Sequence, residues 1–370
     1  MKYTSHFFED LKVQVHIASF DNEHYVSAEI AANSGSAAQQ KTPLEKALLT
    51  AQPPNTELVC KRYFVSDAIN QKYLFEHDDI FSVIQQPPLN GSKISVIAYF
   101  VSKTDSVISY IPNNTTLFIR PNYKHLFVGQ IFCHEGNTFE QTKCVFENYI
   151  RYLNQQELSL ADNTIRTWIY VKDLDNCYSD MVAARNEIFA HNGLVKHFLA
   201  STGIEGHGIH FRTRVTMDTY AVNVRPDQIT FLKAETHLNP TCEYGVSFER
   251  ATAVDYADRR HIFVSGTASI DNKGKVVAFG DIKRQLERTL ENINALLKEG
   301  NAAMSDITHF IIYLRDSGDY AFVKNYFDAN FADIPRVIVH AAVCRSGWLI
   351  EIECIAIAKQ QQQNSKWLPF

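Results

Sequence analysis

The chain repeats itself, and that constrains its fold more than any other feature. His125-Leu-Phe-Val-Gly-Gln-Ile131 resembles His261-Ile-Phe-Val-Ser-Gly-Thr267, and Glu147-Asn148 inside one amphipathic run resembles Glu291-Asn292 inside another. Ile169-Tyr-Val-Lys-Asp173 resembles Ile312-Tyr-Leu-Arg-Asp316, and Met217-Asp-Thr-Tyr-Ala-Val222 resembles Ile352-Glu-Cys-Ile-Ala-Ile357. The matches keep their order about 140 residues apart, so two copies of one unit stand in tandem with small loop insertions between them.

Each copy reads as strand, helix, strand, helix, strand. In the later copy Asp281 caps a helix whose apolar residues Ile282, Leu286, Leu290, Ile293 and Leu297 recur at steps of three and four until Gly300 ends it. Ile307 to Leu314 is a β-branched and aromatic run, Tyr320 to Phe331 is a second helix candidate, and Trp348 to Ala358 alternates like a strand with one buried face. Helices that cover one face of a mixed sheet make the class α+β. In the first hundred residues Lys61-Arg-Tyr-Phe-Val-Ser-Asp67 and Ile94 to Val101 have the shape of two strands of the unit. They fit a worn third copy or an unrelated N-terminal subdomain. The expected divisions are 1–104, a degenerate unit or subdomain; 105–235, a scaffold unit; and 236–370, the unit with the chemistry. Residues 33–41 read as a loop and Gln360 to Phe370 as a loose tail.

Composition narrows the classes of function. Lys plus Arg number 36 against 41 Asp plus Glu, a formal charge of −5, and no basic run offers a footprint for nucleic acid. No stretch approaches the roughly 20 apolar residues of a membrane span, and the N-terminus lacks the apolar core of a signal peptide. Seven cysteines without a CxxC pair argue against a disulfide framework and a zinc ribbon, and for a reducing cytoplasm. The nearest histidine pair, His207 and His210, makes no metal signature, so neither metal nor cofactor is expected.

From about Tyr244 to Lys359 the later copy resembles a YjgF/RidA unit, the family also described as endoribonuclease L-PSP-like. The residues that carry this are Phe263-Val-Ser-Gly-Thr-Ala-Ser-Ile270, the Glu291-Asn292 helix, Ile311 to Asp316, Ile334-Pro-Arg-Val337 and Leu349 to Ala356. The resemblance implies RidA-like (Bacillus chorismate mutase-like) units, and a family in which three chains form a trimer with ligand sites between neighbours. Three copies in one chain imitate that trimer; two copies point to a homo-oligomer. The whole chain is similar to the chorismatases, which cleave chorismate to pyruvate and a diene diol or hydroxybenzoate. Tyr244-Gly-Val-Ser-Phe-Glu-Arg-Ala251, Ser265 to Ile270, Val343 to Glu353, Arg166-Thr-Trp-Ile-Tyr170, Ala184 to Phe189 and Thr202 to Gly208 carry that likeness.

Glu351 is the leading catalytic candidate. It shares one face of the closing strand with Glu353, the family pattern puts the first glutamate in the cleft, and the earlier copy has Thr216 there. Cleaving an enol ether requires a proton on the methylene carbon, which a partly buried carboxyl with a raised pKa supplies. Chorismate carries two carboxylates, which suit bidentate arginines. The resemblance offers Arg336, at the position where RidA-type deaminases hold a substrate carboxylate, together with Arg185 and Arg166 from the middle copy; Arg345 and Tyr170 are further substrate-binding candidates. Cys344 stands where chorismatases yielding 3-hydroxybenzoate carry a cysteine, and is either in the pocket or a small buried hydrophobe. Gly266, Thr267 and Ala268 form a strand-end turn that permits close approach. The expected function is chorismatase-like cleavage of a small-molecule carboxylate between the middle and last copies. RidA-type enamine or imine deamination and non-catalytic metabolite binding stand as rivals.

Overall fold

Strand order settles the number of copies. The computed structural model describes residues 1–31, 35–76, 82–360 and 366–370. The first sheet holds β1 (Lys2–Phe8), β2 (Val13–Phe20), β3 (Glu23–Ile30), β4 (Thr56–Val65), β5 (Ser82–Gln85) and β6 (Ile94–Ser102). The second holds β7 (Val107–Ile111), β8 (Thr115–Ile119), β9 (Lys124–Phe132), β10 (Thr164–Val171), β11 (Ala200–Glu205) and β12 (Val215–Val222). The third holds β13 (Ile229–Leu232), β14 (Ala251–Asp255), β15 (Arg259–Ala268), β16 (Ile307–Leu314), β17 (Arg336–His340) and β18 (Ile350–Lys359).

The orders are β1-β2-β3-β6-β4-β5, β7-β8-β9-β12-β10-β11 and β13-β14-β15-β18-β16-β17. Each has one parallel pair at the same edge. The first hundred residues are therefore a third copy of the α+β unit. Their likeness is faint because a single turn, Ala68–Gln71, stands where the other copies place the long helices Leu174–His191 and Tyr320–Asn330.

Helices cover only one face of each sheet. Ala37–Ala51 lies on the first, Thr138–Gln155 and Leu174–His191 on the second, and Ile282–Glu299 and Tyr320–Asn330 on the third. Under them pack local cores such as Val13, Leu44 and Val96, or Val145, Ile169 and Met217. The uncovered faces meet one another, with Tyr25, Tyr99, Tyr220, Phe263 and Ile355 in one shared core.

Each seam between sheets is crossed by a buried arginine–carboxylate pair. Arg62 Nε stands 2.9 Å from Asp218, Arg166 Nη2 2.6 Å from Glu353, and Arg259 Nη1 2.6 Å from Glu23. First joins second, second joins third, and third joins first, so the ring closes.

Three expectations from the sequence are corrected. Residues 37–41 open a helix rather than a loop, because Ser36 accepts from Gln39 N at 3.3 Å and Gln39 accepts from Ser36 N at 2.8 Å, a capping box that residue composition hides; 33 and 34 lie outside the described residues. The end of the tail is anchored: Trp367 and Phe370 are buried, and Leu368 O accepts from Tyr123 Oη and Ala257 N, each at 3.0 Å. Cys133 and Cys144 form a disulfide, since the end of β9 and the Thr138–Gln155 helix bring their Cα atoms to 6.3 Å. Among the described residues no helix is long and apolar enough to cross a membrane.

Candidate active site

The alternation of β18 places Ile350, Ile352 and Cys354 toward the helices and Glu351 and Glu353 toward the middle sheet. Glu353 is held on every side. It pairs with Arg166 at 2.6 Å, accepts from Trp168 Nε1 at 2.8 Å, and accepts from Thr202 Oγ1. Thr202 Oγ1 in turn accepts from Arg166 and, at 2.9 Å, from the backbone N–H of Gly266. That hydroxyl clamps Gly266 to β11 of the middle sheet; Gly266 to Ala268 are the last residues of β15, paired with β18 beyond a bulge, and not the turn that the sequence suggests.

Glu351 has a different environment. Its side chain is 4% exposed, and among the described residues no donor hydrogen-bonds its carboxyl group. Burial, then the neighbouring charge of Glu353, pushes it up to about 8, with Arg166 and Arg250 pulling the other way. At neutral pH Glu351 is therefore mostly protonated. Gly266 faces it closely: a β-carbon there would stand 2.9 Å from the Glu351 carboxyl carbon and 3.0 Å from Thr202 Cγ2. Thr267 Oγ1 donates to Ser265 O at 2.9 Å, and Ala268, the register partner of Glu351, has its carbonyl held by Asn292 Nδ2 at 3.1 Å.

Of the other candidates, Arg166 and Cys344 interact electrostatically with this carboxyl group. Arg166 is buried, and its Nη1 has no hydrogen-bond partner. Cys344 is partly buried beside Glu351 and Tyr178; burial, then Glu351, pushes its thiol up to about 12, so it is a neutral thiol. Arg185 is buried on the Leu174–His191 helix, 6.0 Å from the Phe189 ring centre, and the adjacent Asn186 donates to Gly245 O at 3.2 Å. Arg345 stacks on Trp348 at 4.8 Å and donates to Gly274 O at 3.0 Å. Tyr170 is buried on the inner face of the middle sheet, register partner of Thr216, with its hydroxyl unpartnered.

Arg336 faces another seam. Its guanidinium meets Asp328 and the carbonyls of Phe331 and Ala332, and its N–H donates to Ser27 of the first sheet at 3.2 Å. It shares no partner with Glu351.

Two contributors escaped the sequence reading. Arg250, just before β14, is buried and held by Asn239 O and Oδ1 while its charge acts on Glu351. It stood inside the stretch Tyr244 to Ala251, so the signal was present but unassigned. Thr202 likewise stood inside the glycine-rich stretch. The acid is also singular. By strand register Ser95 and Thr216 hold the place of Glu351 in the first and second sheets. Among the described residues no group of three His, Cys, Asp or Glu side chains is arranged to hold a metal ion.

Comparison with known proteins places the family likeness in the last copy. The family model Endoribonuclease L-PSP matches residues 250–358. A RutC family protein of Pyrococcus abyssi is 36% identical over 97 residues, 26% of this chain and 76% of its own length. The 3-aminoacrylate deaminase RutC of Acinetobacter baylyi is 30% identical over 97 residues, 26% of this chain and 77% of its own. The 3-hydroxybenzoate synthase of Streptomyces hygroscopicus is 28% identical over 266 residues, 62% of this chain and 76% of its own. A crystal structure of a chorismatase shares the fold, with TM-score 0.63 and 18% identity over 83% of this chain and 96% of that one.

Proposed function

We propose that this chain, which belongs to the YjgF/RidA (endoribonuclease L-PSP) superfamily, is an enzyme whose Glu351 protonates an electron-rich double bond of a small carboxylate. The observation that carries the reading is a buried carboxyl group, pushed up to about 8 by burial and by Glu353, on which the charges of Arg166 and Arg250 act. The arginines draw in and orient an anion; the neutral acid then gives its proton.

The first reading is deamination of an enamine or imine. Glu351 protonates the carbon distal to nitrogen, leaving an iminium ion, and water adds to its carbon. The carbinolamine collapses, breaking the C–N bond and releasing ammonia and a carbonyl compound. Relatives named RutC, one of them a 3-aminoacrylate deaminase, support it. With Arg336 committed to Asp328, the substrate carboxylate falls here to Arg250 and Arg166.

The second reading is cleavage of chorismate. Protonation of its enol-ether methylene makes an oxocarbenium ion, water captures it, and the hemiketal expels pyruvate. Likeness to the 3-hydroxybenzoate synthase over more of the chain, and a thiol beside Glu351, favour it. On this reading Arg185 and Arg345 join the carboxylate binders and Cys344 steers the ring product.

One experiment separates the readings: ammonia release from an amino-acid-derived imine generated in situ, beside pyruvate release from chorismate. Glu351→Gln is expected to lower whichever rate is found by roughly 10²–10⁴ with the fold intact. Ammonia without pyruvate selects the first reading, pyruvate the second. Turnover that survives the substitution removes Glu351 from the chemistry. Binding of either compound without turnover selects a metabolite-binding role.

A further inference from the structure

The three uncovered sheet faces do not close completely. Between them lies a cavity of about 70 Å³ whose walls come from all three sheets: Tyr25 and Tyr99, then Phe127 and Tyr220, then Phe263 and Ile355. A single water needs about 10–15 Å³ of such space, so a body of about five to seven heavy atoms fits. Well-packed cores leave few voids this large.

The polar groups on the wall define what would fill it. His125 is 1% exposed; its Nδ1 shares a hydrogen bond with Tyr220 Oη at 2.9 Å, while its Nε2 has no partner. His309, stacked on Tyr25 with ring centres 5.4 Å apart, ties only its Nδ1 to Thr308. Burial pushes both imidazoles down to about 3, so they are uncharged. The nearby charges are already matched: Arg62 by Asp218, and Glu23 by Arg259, His261 and Tyr99. An ion has no unmatched partner here. Several waters would fare poorly too, since each needs two to four polar contacts and the walls are mostly aromatic.

We propose that this axial cavity is a second binding site, for a small uncharged planar aromatic molecule with one hydrogen-bonding group, seated on the Nε2 edge of His125. Aromatic walls pack its ring, and its polar atom completes the hydrogen bond left unmade at His125 Nε2. Glu351 is not among the residues that line it, so the site does not depend on the reading of that residue.

Phenol and benzene serve as probes, titrated by calorimetry into the whole chain, its His125→Phe and Ile97→Phe variants, and Glu351→Gln as a control; Ile97 faces the cavity, whereas its neighbour Ala98 packs under the helix of the first sheet. Phenol is expected to bind once per chain, about tenfold or more weaker with His125→Phe, and equally well with Glu351→Gln. Benzene is expected to be indifferent to His125→Phe, and neither probe to bind once Ile97→Phe fills the cavity. Circular dichroism melting verifies that each variant is folded. Ile97→Phe keeps the question open to test if His125→Phe does not fold. Absence of saturable phenol binding, or binding undiminished by both substitutions, overturns the site.

Discussion

Three donors, Arg166, Trp168 and Thr202, surround Glu353, while Glu351, two positions earlier on the same face, has no hydrogen-bond donor among the described residues. The charge held at 353 is one cause of the raised value at 351. An acid works while it carries its proton, so turnover is expected to be level below pH 8 and to fall as pH rises through about 8. Glu353→Gln removes the neighbouring charge and is expected to move that fall to lower pH by roughly one unit. A pH–rate profile with an unmoved alkaline limb would count against the pairing. The role of face was legible in the sequence because period-two alternation assigns Glu351 and Glu353 to one side. The stretch around Arg250 was legible but its role was not, because its placement depends on hydrogen bonds to Asn239, which follow no local pattern.

Among elements, helices and strands of the last two copies follow from apolar spacing. The Ile282–Glu299 helix buries Leu286, Leu290, Ile293 and Leu297, and its Asn292 donates to Ala268 O and Ile270 O at 3.1 and 3.0 Å, fixing the end of β15 beside Glu351. In the middle copy the matching Asn148 instead faces Cys133 Sγ at 3.4 Å. The disulfide there could not be read from spacing, since the partners belong to a strand end and a helix that meet only in the folded unit. Titration of the unfolded, unreduced protein is therefore expected to find five free thiols: Cys60, Cys177, Cys242, Cys344 and Cys354. Finding seven would show the bond absent in solution. The opening of the Ala37–Ala51 helix misled the sequence reading because Ser36 and Gln39 look like loop residues until their reciprocal hydrogen bonds are seen.

At the scale of the molecule, the three cross-seam pairs join copy to copy alongside the shared aromatic core. In the pair that closes the ring, burial alone would push Glu23 up, but His261, Arg259 and Tyr99 outweigh it and hold it down at about 2. Its contribution to stability is thus in place above the ordinary glutamate value of 4.5 and is lost as pH falls through about 2. Arg259→Ala leaves that carboxylate buried and less compensated, and is expected to cost about 3–5 kcal/mol in urea unfolding at neutral pH. A loss under about 1 kcal/mol would mean the seam is held by packing alone. The first copy was the hardest to recognise because strand order, its firmest likeness, is a property of pairing rather than of residues. Equivalent positions carry Ser95, Thr216 and Glu351. An assembly of identical subunits must accept every substitution three times over, good or bad. Here a single codon changes one copy and leaves the equivalent positions of its two siblings untouched, which frees them to become ballast, or to acquire a different task, without disarming the copy that keeps its acid.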